Sequence, residues 1–269
     1  MIPNILSIAG SDPSGGAGFQ ADIKAISANG GYAMTVITAI IAQNTCGVQQ
    51  VQLVDHAMIT SQMTSVRDDI RINAVKIGML GDAAIINVVA EGIRGLDIPI
   101  VLGPVMVAKS DGRLLAPDAV EALRAQLLPC ATVLTPNLPE AADLLEVAEA
   151  KSPADMERQA KAILALGPRA VLLKGGHLSG GDSPDLLATT DQLIWLDGPR
   201  YPTRNTHGTG CTLSAALAAQ LAQGEPLVQA VRIAKHYVAE AINRYDELDV
   251  GAGHGPVHHF HALWPKVGG

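Results

Sequence analysis

The stretch NILSIAGSDPSGGAGFQADIKAISAN, residues 4–29, contains the strand–turn–helix unit that decides the fold of this chain. Asn4–Ala9 is a short apolar run and predicts a β-strand. Residues 18–29 have the spacing of an amphipathic helix, with Ile23 and Ile26 among its inward positions. The glycine-rich turn between them lacks the final GK[ST] of a P-loop, which excludes that nucleotide-binding motif.

The same alternation of short apolar runs and helical patterns continues along the chain. Further strands are predicted at residues 34–41, 51–54, 98–102 and 132–134, at Ala74–Ile77 and Ala170–Lys174, and as a hairpin at 186–190 and 192–196. Further helices are predicted at residues 56–70, 83–94, 117–127, 138–146, 153–166, 209–223 and 227–245. The run MTVITAII, residues 34–41, is apolar on both faces, which is typical of a strand at the centre of a parallel sheet. The alternation predicts one α/β domain over residues 1–269, a three-layer α/β/α sandwich with a mostly parallel central sheet.

Composition and charge exclude several classes of function. The 269 residues are 48% hydrophobic and 17% charged, which is a globular composition. The net charge of −7 comes without a basic stripe, so we expect no nucleic-acid partner. No apolar run is long enough to cross a bilayer, and the first residues do not have the pattern of a signal peptide. The odd number of cysteines argues against a disulfide framework. We therefore expect a cytoplasmic protein with no membrane partner.

The segment NTHGTGC, residues 205–211, precedes a predicted helix and favours binding of an anion. Gly208 and Gly210 allow backbone amides to point at one spot, and the helix N-terminus adds partial positive charge. Such a cradle suits a phosphoryl group during transfer. Cys211 lies in the first helical turn, a position that favours the thiolate and a role as a base. The alternative is an ordinary glycine-rich helix start with a buried cysteine.

Asn137 and Glu140 are three residues apart at the start of a predicted helix. Their oxygen atoms would lie on one face, where they could hold the waters of a Mg²⁺ ion on nucleotide phosphates. The same spacing is also that of a helix capping box. Both interpretations remain open from the residues alone.

Four further side chains are candidates for contact with phosphate groups. Lys174 closes an apolar strand beside two glycines, which places its charge at the rim of the sheet. Lys235 on the last helix is a second cationic candidate for the nucleotide. Thr206 and Thr209 carry hydroxyl groups within the segment NTHGTGC and could hydrogen-bond to phosphates.

Motifs along nearly the whole chain resemble those of one enzyme family. They are AGSDPSGGAGFQAD (residues 9–22), AQNTCGVQ (42–49), KIGML (76–80), VMVAKSDG (105–112), TPNLPEA (135–141), LLKGGH (172–177), NTHGTGCTLSAALAA (from residue 205) and GPVHHFH (255–261). In this order they resemble the hydroxymethylpyrimidine/phosphomethylpyrimidine kinases of thiamine biosynthesis, within the ribokinase-like superfamily. The resemblance implies a ribokinase-like fold, a homodimer, and use of ATP and Mg²⁺ to phosphorylate 4-amino-5-hydroxymethyl-2-methylpyrimidine and then its monophosphate.

The resemblance also implies a set of residues around the pyrimidine ring. They are Gly10, Asp22, Gln43, Met79 and Val105. An amide such as that of Gln43 offers a donor and an acceptor to an aminopyrimidine, and a carboxylate complements its amine. The alternatives are a helix-start charge for Asp22, a solvent-facing loop residue for Gln43 and ordinary core packing for Met79 and Val105.

The chain departs from the family pattern at Gly103, where an aspartate is usual. The missing carboxylate predicts a weaker metal or nucleotide-phosphate site. It also keeps open a non-catalytic pyrimidine-binding sensor, while a pyridoxal or pyridoxine kinase is the nearest enzymatic alternative. The C-terminal histidines, His254, His258, His259 and His261, invite a metal hypothesis, but we expect them to dock the C-terminal segment.

Overall fold

The computed structural model describes residues 1–106, 117–178 and 182–265. The strands within these ranges are β1 (Asn4–Ala9), β2 (Tyr32–Ile37), β3 (Ala39–Asn44), β4 (Gly47–Leu53), β5 (Ala74–Ile77), β6 (Ile100–Leu102), β7 (Val133–Leu134), β8 (Ala170–Lys174), β9 (Asp185–Thr189) and β10 (Leu193–Leu196). Eight of them form one sheet in the order β10-β9-β8-β7-β6-β5-β1-β2. Pairing is parallel from β2 to β8 and antiparallel at β8–β9 and β9–β10. The predicted mostly parallel α/β sheet is confirmed.

Helices cover both faces of this sheet and complete three layers. They are α1 (Gly18–Ala28), α2 (His56–Asp69), α3 (Ala83–Ile93), α4 (Pro117–Ala122), α5 (Leu138–Leu145), α6 (Pro153–Leu164), α7 (Thr209–Ala222) and α8 (Leu227–Asn243). Helices α2 to α6 pack on one face, while α1, α7 and α8 pack on the other. Successive side chains of a strand point to opposite faces, so Leu6 and Ile8 of β1 belong to the first core and Ile5 to the second.

The predicted strand at residues 34–41 is the main error in the fold. Its first part is in β2, which forms the edge of the sheet and not its centre. The chain leaves the sheet at Thr38, and β3 pairs with β4 in a separate antiparallel hairpin. Helices α1 and α2 both contact β2, so an edge strand is covered on two faces and needs the apolar pattern of a central one. Ile40, beyond the break, is 52% exposed.

Two smaller predictions also fail. Ile23 was expected to face inward but is 37% exposed, whereas Ile26 is fully buried. The helix predicted at residues 117–127 is α-helical only to Ala122 and continues as a π-helical turn, Leu123–Leu127. In the described part of the chain, no helix is both long enough and apolar enough to span a bilayer.

Candidate active site

The segment NTHGTGC forms a loop, here called the anion loop (residues 205–211), that ends in the first turn of α7. Gly208 is the N-cap of α7 and has φ 78° and ψ 7°, a left-handed conformation that favours glycine. The amide and hydroxyl of Thr212 both donate to the Gly208 carbonyl, at 2.9 and 2.8 Å. First-turn amides of a helix have no acceptor within the helix, so those of Gly210 and Cys211 suit an incoming anion.

Cys211 lies where the N-termini of α1 and α7 meet. The amide of Gly18, the first residue of α1, lies close enough to the Cys211 sulfur to lower the pKa of the thiol. Lys76 and Lys174 are close enough to favour a thiolate electrostatically, but burial outweighs them and raises the pKa of the Cys211 thiol. The expectation that the helix start produces a thiolate is therefore not supported, because desolvation is the larger effect.

Lys174 brings a positive charge to the anion loop. A Cβ built on Gly210 would lie 3.4 Å from Lys174 Nζ, and that nitrogen is 3.9 Å from Glu140 Oε2. The sequence reasoning thus placed Lys174, Glu140 and the anion loop correctly at one end of the sheet. Lys174 is the last residue of β8, and it points across the rim as predicted.

Asn137 and Glu140 form the capping box that the spacing allowed. Asn137 Oδ1 accepts from the amide of Glu140, and Glu140 Oε2 accepts from the amide of Asn137, both at 2.8 Å. Burial raises the pKa of Glu140, with the charge of Lys174 opposing it. These hydrogen bonds cap α5, and a role of the same pair in holding the waters of Mg²⁺ stays a prediction.

The remaining phosphate candidates have partners within the chain. Lys235 Nζ donates to Asp185 Oδ2 at 2.6 Å and to the Ser183 carbonyl at 3.0 Å. These contacts favour a structural role for Lys235, and its contact with a nucleotide stays a prediction. The hydroxyl of Thr209 donates to the Thr206 carbonyl at 3.2 Å, inside the anion loop. Contact of Thr206 and Thr209 with phosphate also stays a prediction.

The residues expected around the ring lie near the start of α1 and the β3–β4 hairpin. A Cβ on Gly10 would lie 3.1 Å from Met79 Sδ, so these two residues adjoin. Gln43 lies in β3 at a break in the hairpin register, and its side chain is close enough to Asp12 to help lower the pKa of that carboxylate. Val105 is partly buried. Binding of substrate by these residues stays a prediction.

Asp22 is fully buried and belongs to a polar cluster beneath the site. Its Oδ2 accepts from Ser7 Oγ at 2.6 Å and from Lys76 Nζ at 2.8 Å. Burial raises the pKa of Asp22, and the charge of Lys76 opposes that rise. Asp22 Oδ1 is buried without a hydrogen-bond partner in the structure, an unfavourable state that a donor from a ligand would relieve.

The departure at Gly103 also lies at this end of the sheet. Its amide donates to the Ile77 carbonyl at 2.9 Å. A Cβ built there would lie 3.3 Å from Ser214 Oγ and 3.6 Å from Thr135 Oγ1. The position therefore has nearly enough room for a side chain, and two hydroxyl groups face it.

Comparison with known proteins assigns the family. Residues 12–258 match the family model described as phosphomethylpyrimidine kinase. The chain belongs to the phosphomethylpyrimidine kinase family. The hydroxymethylpyrimidine/phosphomethylpyrimidine kinase of Rhizobium meliloti is 53% identical over 259 residues, which cover 96% of this chain and 97% of that one.

Solved structures agree with this assignment. The phosphomethylpyrimidine kinase of Clostridium difficile has a TM-score of 0.79 and 42% identity, covering 89% of this chain and 99% of its own. The pyridoxal kinase of Staphylococcus aureus in complex with AMP-PCP has a TM-score of 0.90 and 34% identity, covering 98% of this chain and 95% of its own. The ribokinase-like fold expected from the sequence is thereby confirmed.

The sequence reasoning missed three side chains that organise the site of this kinase. Lys76 is fully buried inside β5, and a lysine within an apolar strand already indicates a buried charged partner. Asp12 and His207 form a pair with Asp12 Oδ2 2.8 Å from His207 Nε2. Aspartate is common in glycine-rich turns, so nothing in the sequence indicated that Asp12 would pair with His207, 195 positions away.

The C-terminal histidines dock the chain end, as expected. Among the described residues, no group of three His, Cys, Asp or Glu side chains is placed to hold a metal ion. His259 Nε2 lies 3.0 Å from Thr212 Oγ1. Because that hydroxyl gives its proton to the Gly208 carbonyl, His259 must donate to Thr212. This contact ties the C-terminal segment to the first turn of α7.

Proposed function

We propose that this chain is an ATP-dependent kinase that phosphorylates 4-amino-5-hydroxymethyl-2-methylpyrimidine and then the resulting monophosphate. The observation that carries the proposal is the meeting of two helix N-termini at Cys211, with Lys174 beside Gly210. This arrangement concentrates positive charge and amide donors where a transferred phosphoryl group would build up negative charge. Family membership and the identity to curated hydroxymethylpyrimidine/phosphomethylpyrimidine kinases support the choice of acceptor.

ATP is the proposed phosphoryl donor. The acceptor oxygen attacks the γ-phosphorus in line, the bond to the bridging oxygen breaks, and ADP leaves. The amides of Gly210 and Cys211 and the ammonium of Lys174 receive the developing charge. The structural relationship to a pyridoxal kinase solved with AMP-PCP supports a nucleotide on this fold.

The pyrimidine is proposed to lie between Gly10, Met79, Val105 and the hairpin that carries Gln43. Asp22 Oδ1 is a buried acceptor without a partner, and an aminopyrimidine supplies N–H donors that would satisfy it. The Gln43 side chain lies close enough to Asp12 to help lower its pKa. Its amide would have to turn from this carboxylate to the edge of the ring.

The two acceptors make different demands on Cys211. A phosphate monoester is already largely ionised at pH 7, since its second pKa is about 6, whereas an alcohol carries its proton. Because burial raises the pKa of the Cys211 thiol, the thiol is protonated in the ligand-free enzyme. We therefore propose that Cys211 acts chiefly through its backbone amide, and the loose transition state of phosphoryl transfer asks little of a base.

Asn137 and Glu140 are the residues proposed to hold the waters of Mg²⁺, because both lie beside Lys174 at the site. The cap of α5 uses Asn137 Oδ1 and Glu140 Oε2, and the described chain offers no cluster of three metal-binding side chains. Mg²⁺ retains most of its waters and binds nucleotide phosphates, so we propose that it enters as part of the substrate ATP·Mg²⁺.

A homodimer is also part of the proposal. The β3–β4 hairpin stands outside the main sheet and exposes large apolar side chains, which are Ile40, Val48, Val51 and Leu53. Apolar side chains grouped in this way favour burial against another surface. Light scattering on the purified chain should give twice the 27.9 kDa mass of one copy, and a monomer at micromolar concentration would refute this part.

The decisive experiment is product analysis with ATP·Mg²⁺ and the pyrimidine alcohol. Successive formation of monophosphate and diphosphate is expected. The second candidate is a pyridoxine kinase, favoured by the TM-score of 0.90 to the Staphylococcus aureus enzyme. Turnover of pyridoxine without use of the pyrimidine monophosphate would select that candidate. Retained pyrimidine binding with no ATP turnover would instead indicate a sensor.

A further inference from the structure

Two glycine-rich loops from opposite ends of the chain touch directly at the site. The first, here called the ring loop, comprises residues 10–18 between β1 and α1. Gly208 of the anion loop approaches it so closely that a Cβ there would lie 1.7 Å from the Gly16 carbonyl oxygen. A Cβ on Gly16 would in turn meet the His207 ring at 2.6 Å and Pro256 at 3.1 Å. Their relative position is therefore fixed by close packing.

Asp12 holds the ring loop in its conformation by accepting hydrogen bonds from residues of the same loop. Its carboxylate accepts from the amides of Ala17 at 2.6 Å, Gly16 at 3.1 Å and Ser14 at 2.9 Å, and from the Ser14 hydroxyl at 2.6 Å. Burial alone would raise its pKa, but the hydrogen bonds from His207, Ser14 and other donors hold the pKa of Asp12 well below its usual range. The carboxylate stays ionised while fully buried.

His207 attaches the anion loop to two other parts of the chain, the C-terminal segment and Asp12. Its amide donates to the Gly255 carbonyl at 3.0 Å, and the backbone bridges to Pro256. Its Nε2 lies 2.8 Å from Asp12 Oδ2, with the ring 19% exposed. The imidazole thus joins the ring loop to a loop that the C-terminal segment holds from the other side.

We propose that Asp12 and His207 form a positioning pair that sets the distance between the pyrimidine and the anion loop. Gln43, proposed to contact the ring, lies close enough to the same carboxylate to lower its pKa, so the substrate side and the phosphate side meet at one group. In-line transfer depends on the separation between acceptor oxygen and γ-phosphorus, and a shift of about 1 Å can cost about 100-fold in rate. This inference rests on the proposed kinase function.

The test compares two replacements of the histidine. His207→Phe keeps a ring but loses the Nε2 donor, whereas His207→Gln keeps an amide nitrogen at about the same reach. We expect His207→Phe to lower kcat by about 30- to 100-fold while KM for ATP and for the pyrimidine changes less than about threefold. His207→Gln should recover kcat to within about fivefold of the unmodified enzyme. The matched control is His254→Phe, since His254 is exposed and contacts only the Arg204 carbonyl through its ring in the described contacts.

Each outcome decides the proposal. A His207→Phe enzyme with kcat within twofold of the unmodified protein would overturn it. So would an equal loss in His207→Gln, because the donor would then be irrelevant. If His207→Phe does not fold, His207→Asn replaces it, since its shorter amide cannot reach Asp12 and should show the same loss. Absence of ATP-dependent turnover in the unmodified enzyme would refute the proposed function and not the pair.

Discussion

Replacing Gly208 by alanine tests whether contact between the two glycine-rich loops sets the catalytic rate. Two separate effects are expected. A non-glycine residue in the left-handed region at φ 78° costs about 1 kcal/mol of folding free energy. The new methyl carbon would also lie 1.7 Å from the Gly16 carbonyl oxygen and 3.1 Å from the Ala17 Cα.

The second effect is the larger one for activity. The loops must part by about 1.6 Å to restore a carbon–oxygen contact of about 3.3 Å. The atoms that the new methyl carbon would contact belong to the backbone of Gly16 and Ala17. Rotation of a side chain therefore cannot relieve the contact. Displacement of the anion loop by more than 1 Å is expected to lower kcat about 100-fold or more, equivalent to about 2.7 kcal/mol of transition-state stabilisation.

A matched control separates the two effects. Gly224, just beyond the other end of α7, has φ 89°, and a Cβ there would meet nothing within 4 Å. Gly224→Ala should therefore lose about 1 kcal/mol of stability, or about 2 to 4 °C in Tm, with kcat unchanged. The assay is steady-state formation of the pyrimidine monophosphate beside thermal unfolding. A Gly208→Ala enzyme within twofold of normal kcat, or a Gly224→Ala enzyme equally impaired, would refute the reasoning.

Three further predictions follow from the same geometry. Gly103→Asp should lower KM for ATP·Mg²⁺ about threefold or more, because the new carboxylate would add an oxygen acceptor for the waters of Mg²⁺ beside the anion loop; an unchanged or higher KM in steady-state kinetics would contradict this. Cys211→Ala keeps the backbone amide, so rates of phosphorylation of the alcohol and of the monophosphate should both change by less than about threefold, and a selective loss of the alcohol step would restore the thiol as a base. Burial lowers the pKa of His259 from 6.5 to about 3. The unfolded chain then binds the proton more readily, so stability is lost as pH falls below 6.5, by about 2 kcal/mol at pH 5. Urea unfolding at pH 7 and pH 5 should show that His259→Gln removes this loss, and an equal loss in the variant would exclude His259 as its source.

Local patterns predicted most of the secondary structure because each element is specified by its own residues. Asn4–Ala9, Ala74–Ile77 and Ala170–Lys174 were placed with the observed bounds. The error at residues 34–41 has a physical cause. An apolar pattern reports burial on two faces, and β2 at the sheet edge has this burial because helices flank it. The pattern carries no information about neighbouring strands.

The candidate site shows the same limit in its chemistry. At Asn137 and Glu140, a capping box and a pair that holds the waters of a metal ion have the same spacing; the hydrogen bonds establish the cap, and the metal role stays a prediction. At Cys211, the position in the helix predicted a lower thiol pKa. Burial and the charge of Asp22 in α1 raise it, and Lys76 in β5 opposes the rise; both of these residues are remote from Cys211 in the sequence.

The features that complete the site are contacts between motifs, which no single motif contains. NTHGTGC by itself explains the amides of an anion cradle, but Asp12, Gly16 and the C-terminal segment hold that cradle in place. Gly208 illustrates the difference. A left-handed turn alone would tolerate asparagine at modest cost. The carbonyl of Gly16 leaves no room for any Cβ, so the requirement for glycine arises from the other loop. The anion loop and the ring loop therefore act as one structural unit, and a substitution in either is expected to change the rate of phosphoryl transfer.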